Sequence, residues 1–111
     1  METNVAKNNK QIDVQIHNAR VLSFCEYYGL TEEEAISAID LLDNHLRYGY
    51  TSEVIMLALR DKIQLTSQSI RLIKTGAYKN ETVFKYLLEV AAENKADGVA
   101  AQRTIKEKLT K

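Results

Sequence analysis

From residue 12 onward, apolar positions recur every three or four residues and no alternation of apolar and polar residues persists, so the pattern predicts helices throughout. Val14, Val21, Leu22, Cys25 and Tyr28 outline a first helix that Gly29 would close. Thr31 and Glu34 match a capping box, the hydroxyl and carboxylate each serving the other's backbone N–H. The helix they open carries Ala35, Ala38, Ile39, Leu42 and Leu46 on one stripe and is expected to end near Gly49. Thr51 or Ser52 would cap a third helix holding Val54, Ile55, Leu57, Ala58 and Leu59 and ending near Lys62 or Ile63. Thr66 and Gly76 bracket a short fourth helix with Ile70, Leu72 and Ile73. Asn80 and Glu81 open a fifth through Val83, Phe84, Leu87, Leu88, Val90 and Ala91. Gly98 is expected to break it, leaving a basic tail helix over Val99, Ala101, Ile105 and Leu109. Residues 1–11 are polar without apolar periodicity and read as a flexible arm. The expected fold is all-α: residues 12–111 as a single domain, a compact bundle of five or six short helices joined by connections of about two to five residues.

Composition supports one folded domain. The chain has 111 residues, 45% hydrophobic and 27% charged, enough apolar surface for a single core without disulfides or metals. There is no proline and only one cysteine, Cys25, which excludes an intramolecular disulfide and a multi-cysteine zinc module. No apolar run is long enough to span a membrane, and the first residues lack a signal-peptide core, so no membrane partner and a cytoplasmic location are expected.

Catalysis needs converging groups, and the sequence offers few. His17 and His45 are isolated, and there is no glycine-rich phosphate loop or nucleophile elbow. Cys25 lies on the apolar stripe of the first helix and reads as a small hydrophobe. Glu32, Glu33 and Glu34 occupy a first helical turn, where the helix dipole favours acids. No enzyme activity, cofactor or metal is expected.

Fifteen basic and fifteen acidic side chains give zero net charge, which taken alone argues against a nucleic-acid partner. The charges are unevenly placed. Residues 1–56 carry a net −5, residues 57–79 a net +4 through Arg60, Lys62, Arg71, Lys74 and Lys79, and residues 80–111 a net +1.

That basic stretch carries a motif. Leu59 and Ile63 end one helix, Leu65 sits in a turn of three or four residues, Ile70 and Ile73 lock a second helix onto the first, and Gly76 closes it. The exposed positions of the second helix are Ser67, Gln68, Arg71 and Lys74. Residues 59–76 thereby resemble the helix-turn-helix of Cro and phage-repressor type regulators. The resemblance implies a DNA-facing side of Thr66, Ser67, Gln68, Ser69 and Arg71, with Lys74 and Lys79 reaching phosphate; Tyr78 lies beside them. Gln68 would read adenine or Arg71 guanine. The family prefers a small residue in place of Arg60 and a glycine in place of Gln64.

A second resemblance reaches further upstream. Gly29 to Glu34, then Tyr48-Gly-Tyr50 leading to Ala58 and Leu59, and Gly76 before Asn80 to Val83, are similar to the C-terminal domain of DnaD-like replication proteins. That family's aromatic motif between these landmarks is absent. Tyr48 and Tyr50 are expected to pack the corner between helices two and three.

Both resemblances imply a small accessory regulator of transcription or replication from a phage or mobile element. Its expected partner is double-stranded DNA, bound as a homodimer through helix five or the tail helix. The competing expectation is a helical protein-interaction module, such as a phage-type inhibitor docking on a host protein through its acidic half.

Overall fold

In the computed structural model, which describes residues 2–110 with side chains from Val14 on, helices form where the sequence supplies their caps. They are α1 (Glu2–Tyr28), α2 (Glu32–His45), α3 (Tyr50–Arg60), α4 (Ser67–Lys74) and α5 (Glu81–Leu109). The side chains of the 1–11 arm lie outside the described residues; its backbone from Glu2 is continuous with α1.

Thr31 caps α2 as expected: its hydroxyl accepts from Glu34 N–H at 3.2 Å while Glu34 Oε1 accepts from Thr31 N–H at 3.0 Å. Those bonds hold the Glu34 carboxyl below its ordinary value. Thr66 and Ser69 form the same reciprocal pair at α4, and Asn80 Oδ1 accepts from Val83 N–H at 3.1 Å to open α5.

Several boundaries differ from the sequence expectation. α2 ends at His45, whose carbonyl is satisfied by Asn94 Nδ2 of α5 at 2.8 Å. α3 begins at Tyr50 with Gly49 as its N-cap at φ +86°, so Thr51 is not a cap but a buried residue of the first turn. The α3–α4 connection spans six residues rather than three or four. It is longer because α3 closes in a Schellman turn: Lys62 takes φ +64°, Lys62 N–H donates to Leu59 O, and Ile63 N–H donates to Ala58 O. Ile63 then turns inward onto the core, and the chain needs three more residues to reach Ser67. Gly98 does not break α5, which runs unbroken for 29 residues, so there is no separate tail helix. A helical glycine costs about 1 kcal/mol, and the alanines at 91, 92, 96, 100 and 101 are the best residues to offset it.

One core joins all five helices, built from Val21 and Phe24 of α1, Ala35, Ala38, Ile39 and Leu42 of α2, Val54 and Ala58 of α3, Ile70 and Ile73 of α4, and Val83, Phe84, Tyr86, Leu87, Val90 and Ala91 of α5. Phe24 meets Phe84 edge-on at 5.0 Å, and Tyr28 stacks on Phe84 at 4.0 Å. Burial in α5 stops at Ala91; beyond it every residue is exposed except the half-buried Asn94. The radius of gyration, 17.1 Å, exceeds the roughly 13 Å of a compact chain of this length because the helix ends project from the bundle.

Arg20 ties three helices together. Its Nη1 donates to both Asp43 oxygens at 2.8 and 2.9 Å, and its Nε and Nη2 donate to the Lys74 carbonyl at 3.1 and 2.7 Å, at the negative end of α4. A lysine has neither the planar fork nor enough donors to hold both partners. Arg20→Lys is expected to cost about 2 kcal/mol, discounted for the half-exposed Asp43, and a urea titration of the two proteins measures it.

Candidate nucleic-acid interface

The expected contact residues fall into three groups. Gln68 and Arg71 share the solvent face of α4, opposite the buried Ile70 and Ile73, because positions three residues apart lie on one side of a helix. Thr66 and Ser69 have their hydroxyls engaged in the cap, where Ser69 Oγ also donates to Thr66 O at 2.8 Å, and Ser67 is half-buried. Lys74 is half-buried with its ammonium 4.9 Å from the centre of the Tyr50 ring, while Tyr78 and Lys79 are exposed in the α4–α5 connection.

The Lys74–Tyr50 contact reveals how α4 lies. The last turn of α4 meets the first turn of α3, so α4 doubles back along α3. The five basic residues of segment 57–79 therefore do not gather at one point: Arg60 and Lys62 lie at the far end of α3, where Arg60 approaches Asp61 at 3.9 Å. Arg71 instead joins a different set. An open cleft of about 580 Å³ is lined by Leu46, Arg47, Tyr48, Gly49, Tyr50, Thr51, Ser52 and Arg71.

Sequence reasoning missed Arg47, Tyr48 and Ser52. Tyr48 and Tyr50 were both expected to pack the helix corner; Tyr50 does so, whereas Tyr48, on the other side of the left-handed Gly49, is fully exposed. Gly49 supplies no side chain to cap α3; the Arg47 and Gly49 carbonyls accept from Tyr50 and Ser52 N–H at 3.1 Å each, and Arg47 and Arg71 both line the cleft beside this positive helix end. The signal was present as Arg47-Tyr-Gly-Tyr, a turn with a cation and an aromatic beside a helix start, but it lay in the acidic half of the chain.

The cleft is electrostatically open. Among the described residues neither Arg71 nor Lys74 pairs with a carboxylate; Arg47 reaches Asp97 only at 3.9 Å with both side chains more than half exposed. Such a pair contributes well under about 1 kcal/mol and yields readily to a phosphate. Groups suited to other chemistry are scattered: among the described residues no cluster could hold a metal ion, and no helix is long and apolar enough to cross a membrane. Cys25 is half-buried against the core.

The α3–α4 turn is fixed from behind by Tyr86 of α5, whose hydroxyl donates to Asp61 Oδ2. That bond, followed by burial, raises the Tyr86 pKa above its ordinary 10.0, and burial raises Tyr28 likewise. A raised folded-state pKa stabilises the protein fully below pH 10 and loses that contribution as pH rises through the raised value. Stability is thus expected to fall above pH 10, less steeply in Tyr86→Phe, with Tyr28 supplying the remaining slope; urea midpoints across pH 8–12 measure both. Comparison with protein-family models, curated proteins and solved structures finds no match to this chain.

Proposed function

We propose that the protein is a non-enzymatic, double-stranded DNA-binding accessory factor that grips the duplex with α4 and the cleft beside it. The observation that carries this reading is the cleft itself: Arg47 and Arg71 both line it at the start of α3, next to the exposed polar face of α4. A backbone phosphate is the ligand whose charge, size and acceptor oxygens suit two guanidiniums and a helix N-terminus together. With Arg47 and Arg71 holding a phosphate there, Gln68 is the α4 side chain left to address a base edge, and Lys79 with Tyr78 would extend the contact along the backbone. The connection of six residues and the reversal of α4 along α3 depart from the three- or four-residue turn of Cro and phage-repressor type regulators, so the reading rests on the cleft. A regulatory role in transcription or replication is what the sequence resemblance alone implies.

The test is a fluorescence-anisotropy titration of labelled duplex DNA at increasing salt. The affinity should fall steeply, with a log–log slope of about −0.9 for each phosphate neutralised. An absent or salt-insensitive interaction would overturn the reading and favour the protein-interaction module docking through the acidic half.

A further inference from the structure

The outer half of α5 has few partners in its own chain. From Ala92 to Leu109 it runs about 27 Å at 1.5 Å per residue, and among the described residues its polar contacts with other elements are Asn94 with the His45 carbonyl and Asp97 with Arg47. Gly98 sits in its middle with nothing within 4 Å of where a side chain would begin, and Val99 is 52% exposed. A helical stretch of this length with a central glycine is marginal in water when nothing covers it.

The surface that would cover it is a second copy of the same surface. Two clefts, of about 490 and 580 Å³, run between α2 and α5 and meet at Leu41. At one end lie Glu33 and Glu34 beside Leu88; at the other lies Arg103 beyond Val99 and Ala100, with Lys95 midway beside Ala96. α2 and α5 run parallel here, since Ala38 faces the start of α5 and the His45 carbonyl meets Asn94. The groove is therefore acidic at one end and basic at the other through Arg103, with Leu41, Ala92, Ala96, Val99 and the exposed Lys95 between. Leu88 and Arg103 are about 22 Å apart along the α5 axis, with Ala92 and Ala96 between them, small enough for a second helix to approach closely.

We infer that two copies of this chain pair through the α2–α5 groove about a two-fold axis near Ala92 and Ala96, with the α5 helices antiparallel. A two-fold operator across a groove with opposite charges at its ends brings the acidic end of each copy onto the basic end of the other. Arg103 of each chain then meets Glu33 of its partner, and each projecting tail lies over the other chain's Leu41 and Leu88. None of the groove residues belongs to α3 or α4, so the pairing leaves both DNA-facing helices free. It holds whether or not the protein binds DNA.

Light scattering after gel filtration, without nucleic acid, tests it. The native protein should give twice the mass of one chain, and Arg103→Glu and Glu33→Arg should each weaken the dimer by more than about tenfold, because every reversal is felt twice in a symmetric pair. Mixing the two variants should restore a dimer, since each copy then offers the charge the other lacks, an outcome misfolding cannot produce. Both positions are exposed, so circular dichroism should match the native protein. A monomer at all concentrations overturns the inference. So does a dimer indifferent to the reversals, or a mixture that stays monomeric.

Discussion

Replacing Arg47 and Arg71 together by alanine is expected to weaken duplex binding about 100-fold at moderate salt and to flatten the salt slope by about 0.9, since the two hold one phosphate. Each guanidinium is assigned one charge-assisted phosphate contact, and each such contact contributes on the order of 1.5 kcal/mol. The loss should be similar for every duplex sequence, because phosphate contacts carry no sequence information. Gln68→Ala should behave differently: a small change in affinity for random duplex, with discrimination at one base pair reduced by about 1–3 kcal/mol. All three side chains are exposed, so the melting transition should move by no more than about 0.5 kcal/mol. Anisotropy titrations of the variants at three salt concentrations, beside thermal melts, separate the two effects. If the double replacement leaves the slope unchanged, the cleft does not hold phosphate.

The helices were legible in the sequence wherever a local signal set the boundary. Thr31 with Glu34, Thr66 and Asn80 each satisfy backbone donors within three residues, a chemistry that depends on nothing distant. The core was legible for a similar reason, as Val21, Ile39, Val54, Ile70 and Leu87 all lie on stripes of helical period. Misreadings occurred where a glycine could act in more than one way. Gly76 ends α4 at φ +86°, close against Ser23, Arg20 and Phe24, whereas Gly98 continues a helix among alanines. The residue type was the same and its neighbours decided.

The site was harder to read than the fold because charge was counted along the chain. Arg71 and Lys74 belong to the basic stretch, but their spatial neighbours are the α2–α3 corner, which the tally assigned to the acidic half. Arg47 is one of four basic residues set there among nine acidic ones. What brings Arg47 and Arg71 together is the reversal of α4 along α3, a tertiary event that a segment count cannot register. The acidic residues, in turn, are distributed by role: Asp43 holds Arg20, Glu34 caps α2, and Asp61 accepts from Tyr86.

The largest loss of stability is expected from Phe24→Ala. Phe24 is completely buried and touches the elements that the rest of the fold depends on: Phe84 of α5 at 5.0 Å, Tyr28 of its own helix at 5.9 Å, and the Arg20 guanidinium at 5.4 Å from its ring. Its edge also lies 3.5 Å from where a side chain at Gly76 would begin, so the ring supports the turn that ends α4. Truncation removes the transfer free energy of the ring and leaves a cavity between helices that Arg20 and the Gly76 turn hold apart, for about 4 kcal/mol. A domain of this size has about 5–15 kcal/mol in total, so the variant should melt about 16 °C lower, at roughly 4 °C per kcal/mol. Phe24→Leu keeps most of the volume and should recover more than half of the loss, whereas Leu22→Ala, on the exposed side of the same helix, should fall within about 0.5 kcal/mol of the native protein. Differential scanning calorimetry on the three variants checks the order. If Phe24→Ala and Leu22→Ala melt together, α1 is not docked on the bundle through this face, and the support of α4 must come from Arg20 alone.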